Sequence, residues 1–152
     1  MRADEELVLR FFSVNLARND YKGNIEEWLD GFMEAVLFGR LRFDSEAQSS
    51  HFKKCFELIS SKLGDCAFTR FNRHNEATGR LAPAYYEAVC ATFSANMDAL
   101  TAIPPDVIRE RLIRAFASEE FKDATGPGAN TIPKLHRRIE VVENCLVRDH
   151  GA

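Results

Sequence analysis

The sequence predicts an all-α protein: one compact domain over residues 1–152, built from about five to seven helices. Three observations predict it. Apolar residues recur at spacings of three and four along most of the chain. Capping residues, glycines and prolines stand where such stretches should start and stop. No stretch alternates apolar and polar residues in the way a substantial sheet requires.

The first helix is expected from Asp4 to about Arg18. Leu7, Val8, Leu9, Phe11, Phe12, Val14 and Leu16 put apolar groups nearly all round it, the mark of a buried helix. Arg10 is a charge inside that pattern. Once buried it requires a carboxylate or carbonyl partner, and Glu6 lies one helical turn before it. Asn19 to Gly23 reads as a turn. Asn24 and Glu27 then have capping-box spacing, with Asn in the place of the usual Ser or Thr.

The second helix carries the most regular stripe in the chain, Ile25, Trp28, Leu29, Phe32, Met33, Val36 and Leu37, and its aromatic part Trp28-Phe32, with Phe11 and Phe12, is expected in the core. Gly39 is placed to end it. Gly31 sits on the opposite face, where it costs about 1 kcal/mol relative to alanine. The third helix runs from about Ser45 to Leu63 on Phe52, Cys55, Phe56, Ile59 and Leu63, with Gly64 as its stop.

Residues 65–82 are the least regular stretch and hold Arg70, Arg73, His74 and Arg80. A fourth helix begins near Pro83, a favourable first-turn residue, and carries Tyr86, Val89, Cys90, Phe93, Met97 and Leu100. Pro104 and Pro105 break the chain and open a fifth helix on Ile108, Leu112 and Phe116. A short helical turn is expected around Glu119–Lys122, and Gly126-Pro127-Gly128 is a loop. Thr131 caps the last helix, where Ile132, Leu135, Ile139, Val142 and Leu146 step by three and four.

Composition limits the function classes. A hydrophobic fraction of 45% with 28% charged residues belongs to a globular chain, and twelve Phe supply large packing areas. A net charge of -3 argues against a protein that coats nucleic acid, while leaving room for a local basic patch. No apolar run approaches the roughly 20 residues that span a bilayer. The opening residues are acidic where a signal peptide needs a basic and then an apolar segment. No two of the four cysteines have Cys-x-x-Cys spacing. The expectation is free thiols in a reducing cytoplasm.

No catalytic residue, metal or cofactor is expected. Among His51, His74, His136, His150 and the cysteines, only His51 and Cys55 have ligand spacing on a helix, and zinc needs three or four converging ligands. Gly126–Asn130 follows a helix and lacks the lysine of a phosphate loop. Arg70 to Asn75 resembles a fragment of a His-Asn-His nuclease motif, which makes a small metal-dependent nuclease or hydrolase the rival enzyme reading. That motif needs a ββα frame and a second histidine, and strand signals are missing here.

Two candidate binding sets remain. Arg70, Arg73 and Arg80, interleaved with Phe68 and Phe71, are candidate contacts to nucleic acid or phosphate, against the plainer reading of a solvated basic face. Arg111 with Arg114, and Lys134 with Arg138, form smaller basic pairs read the same way. Leu135, Ile139, Val142 and Leu146 are a candidate seam for a partner chain or a second copy, against packing inside their own domain.

Asp4-Glu5-Glu6-Leu7-Val8-Leu9-Arg10-Phe11-Phe12, followed by Tyr21-Lys22-Gly23 and the helix ending at Phe32-Met33, resembles a segment of the GmrSD-type restriction family. Phe68-x-x-Phe71, Tyr86-Glu87-Ala88 and Lys134-x-x-x-Arg138-Ile139 resemble its downstream helical pattern. Members of that family have a ParB-like half with an Asp-Gly-Gln-Gln-Arg motif implicated in nucleotide hydrolysis, and many carry a C-terminal His-Asn-His domain. This chain has a single glutamine, Gln48, so that motif is not in it and no catalytic residue carries over. The resemblance implies a non-catalytic helical module of a defence-type or DNA-related system. Such a module docks a partner protein chain or domain, with nucleic acid as a second candidate partner. It is either a split member working with a separate catalytic protein or part of a longer parent.

Overall fold

The computed structural model describes residues 2–148; Met1, residues 149–152 and with them His150 lie outside that range. The described residues form eight α-helices and a two-stranded hairpin in the order α1 (Ala3–Leu16), α2 (Ile25–Leu37), α3 (Ser45–Leu63), β1 (Thr69–Phe71), β2 (Ala77–Leu81), α4 (Pro83–Ala95), α5 (Met97–Thr101), α6 (Pro105–Ala117), α7 (Glu119–Thr125) and α8 (Ile132–Leu146). The fold is mostly helical, as the periodicity requires.

Local signals set most helix ends. The Asn24 side chain accepts a hydrogen bond from the Glu27 amide at 3.0 Å, the Asp44 side chain from the Ala47 amide at 3.1 Å, and Ser118 from the Phe121 amide at 3.2 Å. Each satisfies one of the donors that a helix N-terminus leaves open. The count exceeds the expected range because the predicted fourth helix is interrupted. Asn96 takes φ −134° and ψ 36°, and its side-chain amide donates to the Thr92 carbonyl at 2.8 Å, so Met97 and Leu100 belong to a separate short helix.

The stretch expected to be irregular contains the hairpin. Thr69 pairs with Leu81 and Phe71 with Ala77, antiparallel, with an irregularity between the two pairs. Its turn is built by Asn72, whose Oδ1 accepts from the backbone N–H groups of His74 at 2.8 Å and Glu76 at 3.0 Å. Asn75 takes φ 59°, a left-handed conformation that Asn tolerates better than most residues. Short strands defined by turn chemistry leave little alternation to read.

Helix α4 is the centre of the molecule. Every residue from Tyr85 to Phe93 is buried, and the helix packs against α1, α3 and α8. A first aromatic cluster ties α1 to α3 and α4: Phe11, Phe52, Phe56, Phe68 and Tyr86 have neighbouring ring centroids 4.5–6.3 Å apart. A second joins α4 to α6 and α7, with Tyr85, Phe116 and Phe121 at 4.5–4.9 Å. The α1–α2 connection is pinned from both sides. The Trp28 indole donates to the Ala17 carbonyl at 2.8 Å, and the Tyr21 hydroxyl donates to the Asn130 carbonyl at 2.6 Å. Helix α1 is less enclosed than its composition suggests: Phe11 and Val14 are buried, but Val8 is exposed.

The centre also holds charge. Glu87 of α4 and Arg138 of α8 are each 1% exposed. Arg138 donates to the Glu87 carboxylate at 3.1 Å and to the carbonyls of Ala129 at 2.8 Å and Ala124 at 3.3 Å. Arg10 donates to Glu87 at 3.2 Å and to Glu6 at 2.8 Å, so the partner required at the sequence level is present twice over. Arg138, expected on a solvated face, is a core residue: its fork reaches three acceptors that bury with it.

The last-helix seam turns inward. Leu135, Val142 and Leu146 are fully buried and Ile139 is 4% exposed, packed against α4, α6 and α7. The seam is thus corrected from a candidate partner surface to part of the domain core. A three-four stripe buries its area against whichever neighbour is adjacent, and here the short α6–α7–α8 connections supply neighbours from the same chain.

Burial also governs the thiols. It pushes Cys55 from its ordinary value near 9 up to about 12 and holds Cys90 well above the ordinary range. A folded thiol harder to ionise than its unfolded counterpart contributes stability that is lost as pH rises past the unfolded value. The urea midpoint is therefore expected to fall steadily from about pH 8.5 to pH 10. Thiol labelling of the native protein at pH 8 should reach half-exposed Cys145 well before Cys55, Cys66 or Cys90. Equal labelling rates for all four would contradict this core.

Candidate functional site

The hairpin followed by α4 supplies the ββα order that a His-Asn-His site needs and that the sequence did not reveal. The chemistry does not assemble on it. His74 is exposed at the hairpin tip, where its ring accepts from Arg73 Nε at 3.3 Å. The ionisable carboxylate of α4 is Glu87, turned into the core toward two arginines. His51 is linked to Ser94 at 2.7 Å, while Cys55, its spacing partner, is fully buried among aromatic rings. Among the described residues no three His, Cys, Asp or Glu side chains gather closely enough to hold a metal ion.

The three arginines singled out in the sequence fall into two adjoining depressions. Arg70 and Arg73 line a cleft of about 300 Å³ between the hairpin and the α6–α7 corner, together with Tyr85, Phe116 and Lys122. Arg80 lines an adjoining depression with Thr78, Leu81 and Pro83, and Arg70 borders both. The Arg70 guanidinium lies over the Tyr85 ring, 5.6 Å from its centroid. Arg109 braces the same hairpin from α6. It sits 5.4 Å from the Phe71 ring centroid and donates to the Asn75 carbonyl at 2.9 Å. Lys122, an acceptor-free cation from α7, was not part of the sequence-level cluster because it lies far along the chain.

No protein-family model, curated protein or solved structure matches the chain.

The structure divides the α2 stripe. Trp28, Leu29 and Phe32 are buried, but Met33 is 46% exposed, Leu37 78% and the following Phe38 68%. Helix α2 packs along α1, and its C-terminal turns extend past that support. Gly39, at φ 73°, closes the helix in the left-handed conformation, and its amide donates to the Val36 carbonyl at 3.2 Å. Phe38 is left facing outward with the Arg40 guanidinium 5.6 Å from its ring centroid. The spacing of Glu26, Asp30, Met33 and Leu37 places all four on one face of α2. That face reads acidic at one end, apolar in the middle, and basic beyond the helix, where Arg40 and Arg42 are exposed. The one sequence signal for it was the width of the stripe, which is more than a single neighbouring helix can cover.

Proposed function

We propose that this chain is a non-catalytic helical module of a defence-type or DNA-related bacterial system, and that it docks another protein chain through the end of α2. The exposure of Met33, Leu37 and Phe38 close together at the end of α2 supports the docking. Apolar side chains clustered in this way mark interaction surfaces more often than singly scattered ones do. The defence-type setting rests on the resemblance of residues 4–33 to the GmrSD-type family. The charges flanking the patch suit one occupant: an amphipathic helix of the partner with one acidic and one basic end. Its acidic end would meet Arg40 and Arg42 and its basic end Glu26 and Asp30.

Co-expression with the product of a neighbouring reading frame that carries the Asp-Gly-Gln-Gln-Arg half tests this reading. The expected result is a complex on size exclusion with light scattering. Leu37→Asp/Phe38→Asp should weaken it by at least about 30-fold, the loss typical of removing central apolar anchors. No complex, or a complex indifferent to that double substitution, would overturn it. A dimer of the chain alone that the same substitutions dissolve would instead assign the patch to a second copy.

A further inference from the structure

A second surface, independent of the α2 patch, carries its own chemistry. The cleft beneath the hairpin brings together Arg70 from β1, Arg73 from the turn and Lys122 from α7. No carboxylate lines it, in a chain with more acidic than basic residues. Neither Arg70 nor Arg73 has a carboxylate within ion-pair distance among the described residues. Lys122 has only Glu119, at 3.8 Å and 91% exposed, a pairing that an incoming anion displaces at little cost. Three like charges lining one cleft, with Glu119 beside Lys122 as the sole carboxylate in ion-pair range of them among the described residues, repel one another, and a bound anion relieves that repulsion.

The arrangement is also ordered in advance. Arg70 is laid over Tyr85, which is 8% exposed and wedged against Phe116 and Phe121. The hairpin carrying Arg73 is fixed by the Asn72 turn and by Arg109. The Arg70 guanidinium, held over Tyr85, presents its N–H fork with less side-chain freedom left to lose, and planar forks match phosphate oxygens. The ring faces of Tyr85 and Phe71 are already covered by Arg70 and Arg109, so the site recognises charge and not a stacked base. At about 300 Å³ the cleft takes one phosphate with its adjoining sugar. Arg70 also lines the depression that holds Arg80.

We propose that Arg70, Arg73 and Lys122 hold one backbone phosphate of a single-stranded nucleic acid, and that Arg80 receives the neighbouring phosphate along the same groove. The ligand class is a linear phosphodiester, read without base specificity.

Fluorescence anisotropy with a short end-labelled oligothymidylate tests the assignment on the full chain. Binding is expected at about 50 mM salt and should weaken roughly 7-fold by about 200 mM, as neutralising about two phosphates of a single strand requires. Arg70→Ala/Arg73→Ala should lose at least about tenfold in affinity at low salt, and Arg80→Ala should flatten the salt dependence. Arg40→Ala, a basic change at the α2 patch, should leave binding unchanged. Thermal melting of each variant separates lost binding from lost folding. Inorganic phosphate should compete only at high concentration, because it fills one position of the groove. Absent binding at low salt would overturn the proposal. So would equal loss in Arg40→Ala, or binding to phosphatidylserine vesicles without binding to the oligonucleotide. Failure here leaves α2 docking untouched, because the two surfaces share no residue.

Discussion

Replacing Glu87 by alanine is expected to destabilise the domain by about 3–5 kcal/mol, the cost of leaving a buried charge without its partner. For a chain of this size that corresponds to a melting temperature lower by roughly 10 °C. The magnitude follows from what remains behind. Arg138 is 1% exposed, so removing the carboxylate strands a guanidinium among Ala124, Ala129 and apolar helices. Arg10 is less affected because it retains Glu6 at 2.8 Å near the surface. Glu87→Gln should fall in between, since the amide oxygen still accepts a hydrogen bond. The double variant Glu87→Met/Arg138→Met should lose much less than the sum of its single changes, because removing both partners leaves neither charge buried. Urea melts of the parent, these variants and the single changes Glu87→Met and Arg138→Met measure this directly. A Glu87→Ala variant as stable as the parent would mean that α4 and α8 do not meet as described.

Ile139→Asp should abolish the folded state, whereas Leu37→Asp should change stability by less than about 0.5 kcal/mol. Both residues lie on regular apolar stripes, and nothing local distinguishes them. Ile139 is 4% exposed between α4, α6 and α7, where a carboxylate would have no partner and no room to reach water. Burying that group costs several kcal/mol, against a total stability of about 5–15 kcal/mol for an ordinary domain. Leu37 is 78% exposed, and an aspartate there is simply hydrated. Near-ultraviolet circular dichroism and urea melts report the contrast. If Ile139→Asp stayed folded and changed only its association state, the last helix would be an interface after all.

These two outcomes separate what is legible in a sequence from what is not. The bounds of α3 at Ser45 and Leu63 follow from periodicity and from Gly64, and the cap at Asn24 follows from side-chain chemistry within three residues. The requirement for a partner at Arg10 was legible too, because a charge within an apolar helix must be compensated. The identity of the second partner was not. Glu87 lies 77 residues away, on a helix whose stripe gave no reason to look at it. Arg138 looked like a surface residue for the same reason: its acceptors at Ala124 and Ala129 are backbone carbonyls, which leave no trace in residue types. At the candidate cleft, Arg70 and Arg73 were visible as a cluster, while Lys122 and Tyr85 joined it only through the packing of the hairpin on α6 and α7.

By itself, the chain's pattern of apolar spacings, caps and breakers determined that it is helical and where most helices begin, because those effects act within one or two turns. Tertiary structure alone decided which stripe is enclosed and which stands open. The seam of α8 is buried by its own domain, while Leu37 and Phe38 at the end of α2 stand in solvent. Hydrophobic burial is non-directional: an apolar stripe specifies that it must be covered, but what covers it depends on how the chain brings distant helices together.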